Sequence, residues 1–262
     1  MACRYFTVDA FTSRPFTGNP AGVCLIEGEV SPDWMQAVAG EMRHSETAFV
    51  RRSGTGWEIR WFTPTMEVDL CGHATCAAAH VLVEEGEEEE GAIVSFSSAG
   101  GDLEAVVDAG TVTLTFPALP AEAAPVPAGL EAALGVPVED FRVSTYDWLV
   151  RTGGAILVEG AAPDMKALEG FPARGIILTA ASDGGRYDII SRFFAPAAGI
   201  PEDPVTGSAH CVLGPYWQHL TGRDHLQAFQ ASKRGGEIMV TVDGDEVLLT
   251  GRAVTVLRGM LE

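Results

Sequence analysis

Two short stretches, Gly72-His73-Ala74-Thr75-Cys76 and Gly207-Ser208-Ala209-His210-Cys211, match at Gly, Ala and Cys with one offset of 135 residues. Their surroundings repeat as well. Each is preceded by an aromatic strand end and a proline, Trp61-Phe62-Thr63-Pro64 and Phe193-Phe194-Ala195-Pro196, at an offset of 132, so three residues were inserted before the second copy. Each is followed by an apolar helical run, over 77–83 and 212–220. A chain that repeats itself this way is expected to be α+β: two pseudo-symmetric halves, each a curled, mostly antiparallel sheet around one central helix.

The rest of the pattern fits that plan. Strand signals fall at 5–9, 22–26, 47–50, 57–62, 93–96, 103–107 and 111–116, and Ser31-Pro32-Asp33-Trp34 starts a helix that runs to about Arg43, with Pro at the first helical position. The stretch 117–127 holds four prolines and no strand period, which makes it the expected linker between domains at 1–118 and 119–262. Beyond it, 130–134 reads as a helix, and 141–150, 155–158, 175–179, 188–194, 236–242 and 246–249 read as strands. The run Glu84-Glu85-Gly86-Glu87-Glu88-Glu89-Glu90-Gly91 reads as a solvated turn after a helix.

Charge narrows the partners. With 17 basic and 36 acidic side chains in 262 residues, the formal net charge is −19, a field that repels nucleic acid and anionic membranes alike. The start, Met1-Ala2-Cys3-Arg4-Tyr5-Phe6, lacks the apolar core of a signal peptide, and no later run is long enough for a spanning helix. Five widely spaced cysteines do not make a disulfide framework, so reduced thiols and a cytoplasmic setting are expected. The only two lysines, Lys166 and Lys233, are read in polar loops, unsuited to a pyridoxal Schiff base, and no Gly-x-Gly-x-x-Gly opens a helix after a strand.

The chemistry is expected at the two helix starts. Small residues at Gly72, Ala74, Gly207 and Ala209 let a ligand approach backbone N–H groups where the helix dipole favours an anion. The alternative is that Gly and Ala merely let each helix pass tightly through its sheet.

Four ordered motifs, Phe16-Thr17-Gly18-Asn19-Pro20-Ala21-Gly22-Val23, Ser45-Glu46-Thr47-Ala48-Phe49, Asp69-Leu70-Cys71-Gly72-His73-Ala74-Thr75 and Asp203-Pro204-Val205-Thr206-Gly207-Ser208-Ala209, resemble the PhzF-like phenazine-biosynthesis family. The resemblance implies the diaminopimelate-epimerase fold, with the active site in a cleft between the halves, no cofactor and a homodimer. It implies that Glu46 is the general acid/base, moving a proton between carbons of a cyclohexadiene. It further implies that His73 and Asp203 hydrogen-bond the substrate's polar groups, while Ser208 and the backbone at Gly72 and Gly207 receive its carboxylate. Position alone reads differently: Glu46 as an exposed strand-end carboxylate, His73 and Asp203 as capping or loop residues.

Cys71, His73, Cys76 and His80 superficially suggest zinc. Their spacing lacks the paired close ligands of structural fingers and all lie on or beside one Ala-rich helix, so buried thiols and no metal are expected. Epimerases and proline racemases of the implied fold use two opposed cysteines. Cys71 matches the first, but Pro204 stands where the second would be, so paired-thiolate chemistry is not expected and Cys71 reads as structural. The expected function is a cofactor-independent isomerase acting on a small carboxylated metabolite; the alternatives are an epimerase or racemase and a non-catalytic carboxylate-binding protein.

Overall fold

The computed structural model describes residues 3–262. Met1 and Ala2, where the reading of the N-terminus and of the first domain begins, lie outside the described residues. The chain divides into two compact units, one made of Met1–Thr115 with Thr250–Glu262 and the other of Phe116–Leu249.

Both units follow one strand plan. In the first, Cys3–Ala10 pairs antiparallel with Asn19–Ile26, which runs parallel to Thr47–Ser53; that strand turns back antiparallel into Gly56–Phe62, whose parallel neighbour is Ile93–Ser98. In the second, Asp140–Val143 pairs antiparallel with Asp147–Arg151, which runs parallel to Gly175–Ala181. That strand pairs antiparallel with Ile189–Ala195, whose parallel neighbour is His225–Gln230. The last parallel step needs a crossover in each unit, and the crossover contains the long helix, Gly72–Glu84 or Gly207–Thr221.

Composition explains why these helices can sit inside a sheet. Every residue from His73 to Ala79 is buried, on all sides of the helix, which is how a helix apolar all round behaves. Four alanines keep it thin where it packs on Cys3–Ala10, Asn19–Ile26, Thr47–Ser53 and Gly101–Asp108. The second helix carries an interior proline, Pro215. Proline has no N–H to give back to the fourth residue before it, Cys211, and the Cys211 carbonyl instead accepts the Leu119 N–H at 3.0 Å. Gly214 is required by proximity, because a Cβ there would lie 2.9 Å from a Val240 methyl.

Four expectations are corrected. Residues 155–158 are not a strand but part of the helix Ala155–Gly160; Ala155 and Val158, three apart, bury one face against Gly175–Ala181 and Ile189–Ala195, which overrides the β-branched propensity of the run. Residues 141–150 form two strands, Asp140–Val143 and Asp147–Arg151, joined by a turn in which the Ser144 amide donates to the Asp147 carbonyl at 2.9 Å. Lys166, expected in a loop, lies in the short helix Met165–Leu168. Finally, the closing segment assigned to 119–262 is shared: Glu246–Leu261 is one 16-residue strand whose end pairs antiparallel with Cys3–Ala10, from Ala10 opposite Ala253 to Cys3 opposite Leu261. The edge of Cys3–Ala10 left open by Asn19–Ile26 explains this, since an unpaired edge is satisfied by whichever strand reaches it. Among the described residues, no helix is long and apolar enough to cross a membrane.

Candidate active site

Glu46 is the residue immediately before the strand Thr47–Ser53. Its carbonyl accepts the Gly22 N–H at 3.1 Å, so the backbone is fixed by the parallel ladder before the side chain does anything. Gly22 has to be glycine, because a Cβ there would lie 2.8 Å from both Thr47 Oγ1 and Tyr5 Oη. The Glu46 side chain meets the start of the Gly72–Glu84 helix. Oε2 lies 3.3 Å from His73 Nε2, Ser45 Oγ lies 3.3 Å from the same nitrogen, and Cys71 Sγ lies 3.5 Å from His73 Nδ1.

Electrostatics make this carboxyl unusual. The Glu46 and His73 side chains are 14% and 8% exposed. Burial raises the Glu46 carboxyl above its ordinary 4.5, and hydrogen bonds from the Ser45 and Cys71 side chains offset part of that rise. A carboxyl whose charged form is destabilised is a stronger base once ionised, the property general acid/base catalysis needs. The exposed strand-end alternative for Glu46 therefore does not hold.

Of the four residues weighed for zinc, Cys71 and His73 come together, and Glu46 joins them: a sulfur, a ring nitrogen and a carboxylate oxygen all lie within 4.8 Å of one another. Cys76 is elsewhere, fully buried with its thiol pushed up to about 12, and His80 Nε2 lies 3.6 Å from Glu84. Both His73 nitrogens already face protein partners, Nδ1 the thiol and Nε2 the carboxylate. Cys71 is thus not merely a core thiol: it contacts the candidate base.

The start of the second helix is built from different parts. Like the first, it has no side-chain cap. Asp203 ends the short strand Ile200–Asp203, not a loop, and its Oδ2 accepts the Thr206 hydroxyl. Gln230 braces the turn, accepting the Thr206 N–H at 2.9 Å and donating to the Asp203 carbonyl at 2.8 Å. Ser208, the second residue of the helix as His73 is of the other, accepts a hydrogen bond from Arg174 Nη2 at 2.9 Å. Arg174 is in turn held by Asp147, with Nε donating to Oδ1 at 2.9 Å and Nη2 to Oδ2. His210, one turn into the helix, is fully buried with Nδ1 2.8 Å from the Thr206 carbonyl oxygen, and burial pushes its pKa down to about 4.

The sequence profile described as "Phenazine biosynthesis-like protein" matches residues 8–259. The chain belongs to this family. It is similar to an "Uncharacterized isomerase" of Pseudomonas aeruginosa, 46% identical, covering 100% of this chain and 99% of the relative. A crystal structure of an Enterococcus faecalis PhzF-family protein superposes with a TM-score of 0.96 at 36% identity, covering 100% of both chains. A hydroxyproline epimerase of Agrobacterium vitis shares the fold at a TM-score of 0.67 and 14% identity, over 99% of this chain and 91% of that one. The epimerase-like architecture inferred from the resemblance is therefore the architecture of the chain.

Within this family member, Glu46 and His73 meet directly, Gly72 and Gly207 open the two helices, and Asp203 and Ser208 are anchored at the second. Sequence reasoning assigned no role to Ser45, Gln230, Asp147 or Arg174. Ser45 stands inside a motif and could have been found there. Asp147 and Arg174 are 27 residues apart and belong to no motif, so only the parallel pairing of their strands brings them together.

Proposed function

We propose that the protein is a cofactor-independent isomerase that shifts a proton between two carbons of a small cyclic or unsaturated carboxylated substrate, with Glu46 as its general acid/base. Ionised Glu46 takes a proton from one carbon, the electron pair of that C–H bond is delocalised into the adjoining unsaturation, and the Glu46 acid returns the proton to a second carbon. Nothing is oxidised or reduced, and the double bond moves. His73 and Asp203 hold the substrate's polar groups, while Ser208 and the backbone at Gly72 and Gly207 take its carboxylate. The protein acts in this reading as a cytoplasmic homodimer, and a phenazine precursor is one member of the substrate class.

The observation that supports this best is the buried, pKa-raised Glu46 carboxyl against His73 Nε2. The isomerase name carried by a relative of 46% identity agrees with it. The test is solvent deuterium uptake into carboxylated metabolites from an extract, read by mass. Glu46→Gln keeps the shape but cannot act as a base, so exchange should fall by roughly 10²-fold or more. Exchange at the wild-type rate in this variant would rule the mechanism out. One observation favours an epimerase as second reading, the Cys71 thiol beside Glu46. If the thiol is a second base, Cys71→Ala should abolish exchange as fully as Glu46→Gln does.

A further inference from the structure

Arg174 donates to Ser208 at the start of the second long helix, and no motif points to it. It sits immediately before the strand Gly175–Ala181, the counterpart of Thr47–Ser53, so it takes the place in the second unit that Ser45-Glu46 takes in the first. Both positions reach the second residue of their unit's long helix, Ser208 in one case and His73 in the other.

Counting hydrogens shows what Arg174 is arranged to do. The single Nε hydrogen goes to Asp147 Oδ1, and the two Nη2 hydrogens go to Asp147 Oδ2 and to Ser208 Oγ. The two Nη1 hydrogens meet no acceptor among the described residues, and the side chain is 44% exposed while its partner Asp147 is 0% exposed. Ser208 Oγ accepts from a group that can only donate, so its own hydrogen must point to another acceptor, and none is found among the described residues. The result is a hydroxyl donor and a two-hydrogen amino edge on one guanidinium, whose charge is balanced by Asp147 and which also feels Asp203. A buried carboxylate holds that guanidinium bidentately, which removes the side-chain freedom that makes surface arginines poor receptors. In a chain of net charge −19, an edge that can only donate and is held in place is the feature that would select an acceptor group such as a carboxylate.

We propose that Arg174 and Ser208 form a carboxylate receptor, with Asp147 as the positioning residue that holds Arg174 in place. This deepens the isomerase reading and rests on it for the ligand: it names the group that makes the substrate an acid rather than its neutral amide or ester.

The experiment uses benzoate and its neutral isostere benzamide as probes, titrated by calorimetry or NMR at low salt. Wild type is expected to bind benzoate at least tenfold more tightly than benzamide. Arg174→Gln should abolish that preference, Arg174→Lys should keep part of it, and Ser208→Ala should weaken benzoate severalfold with the preference retained. Because Arg174→Gln leaves Asp147 buried without its partner, the double variant Asp147→Leu/Arg174→Met, which removes both charges, is the folded control and should likewise show no preference. Equal binding of the two probes by wild type, or a wild-type ratio in Arg174→Gln or in the double variant, would overturn the receptor. A merely structural role for Arg174 would weaken both probes together and leave the ratio unchanged. Glu46→Gln separates the two proposals: it should lose deuterium exchange and keep the benzoate preference. If exchange survives in Glu46→Gln while Arg174→Gln loses the preference, the isomerase mechanism falls and the receptor stands.

Discussion

The two long helices begin in the same way, Gly-x-Ala at the end of a crossover with no side-chain cap, yet each start is completed by the opposite charge. At Gly72 a buried carboxyl, Glu46, meets a histidine and two weak donors, and no cation contributes to its shifted pKa. At Gly207 a buried carboxylate, Asp147, is fully engaged by a guanidinium that then reaches Ser208. A carboxyl whose pKa is raised by burial is suited to exchanging protons. One locked to arginine is a fixed scaffold. Repetition of a fold supplied two equivalent places, and in the proposed function the difference in compensation separates the place assigned to proton transfer from the place assigned to binding.

That contrast breaks most visibly in stability. Asp147→Asn should destabilise the fold by about 2–3 kcal/mol, less than a fully buried broken pair because half-exposed Arg174 can recover water. Denaturant unfolding would check it, and a loss under 0.5 kcal/mol would show that the pair is not a scaffold. Glu46→Gln should do the reverse and raise stability at pH 7. A carboxyl whose folded pKa lies above its unfolded value of 4.5 binds more protons folded than unfolded, so wild-type stability falls as pH rises through that interval. The advantage of Glu46→Gln should therefore vanish below pH 4.5, where the acid is protonated in both states, and should be fully present above the folded pKa. If Glu46→Gln melted lower than wild type at pH 7, the carboxyl would be stabilised in place and not strained by burial.

The smallest effect sharpens the picture at Glu46. Ser45 and Cys71 each hold the Glu46 pKa down by a hydrogen bond. Ser45→Ala and Cys71→Ala should each push it further up, moving the acidic limb of the exchange rate to higher pH. An unmoved limb in both variants would mean that neither group touches the carboxylate during turnover.

The sequence made much of this visible, for definite reasons. The five-residue match at offset 135 located both helix starts to the residue, because the repeated Gly, Ala and Cys fall at the same positions of both helices. Glu46 and His73, whose side chains meet, both lie inside contiguous motifs. Arg174 and Asp147 were not, since their meeting depends on the register that sets Asp147 opposite Gly175, a long-range property with no local signature. The helix at Ala155–Gly160 escaped for a related reason: its Ile, Leu and Val favour a strand, and only packing on two neighbouring strands decides otherwise. The contacts of Cys71 with His73 and Glu46 were not legible either, because a thiol's neighbours do not follow from its spacing.

The strand that closes the first unit has a consequence for how the molecule is made. Cys3–Ala10 leaves the ribosome early, while the residues that cover its open edge, Ala253 to Leu261, are added after the whole of Phe116–Leu249. At ordinary elongation rates that wait is on the order of tens of seconds, during which an unpaired strand edge is available to any other nascent chain. Translation halted at Leu249 would yield every residue of the second unit and an unsealed first one. The codons for Ala253 to Leu261 thus govern whether the first hundred produce a folded product.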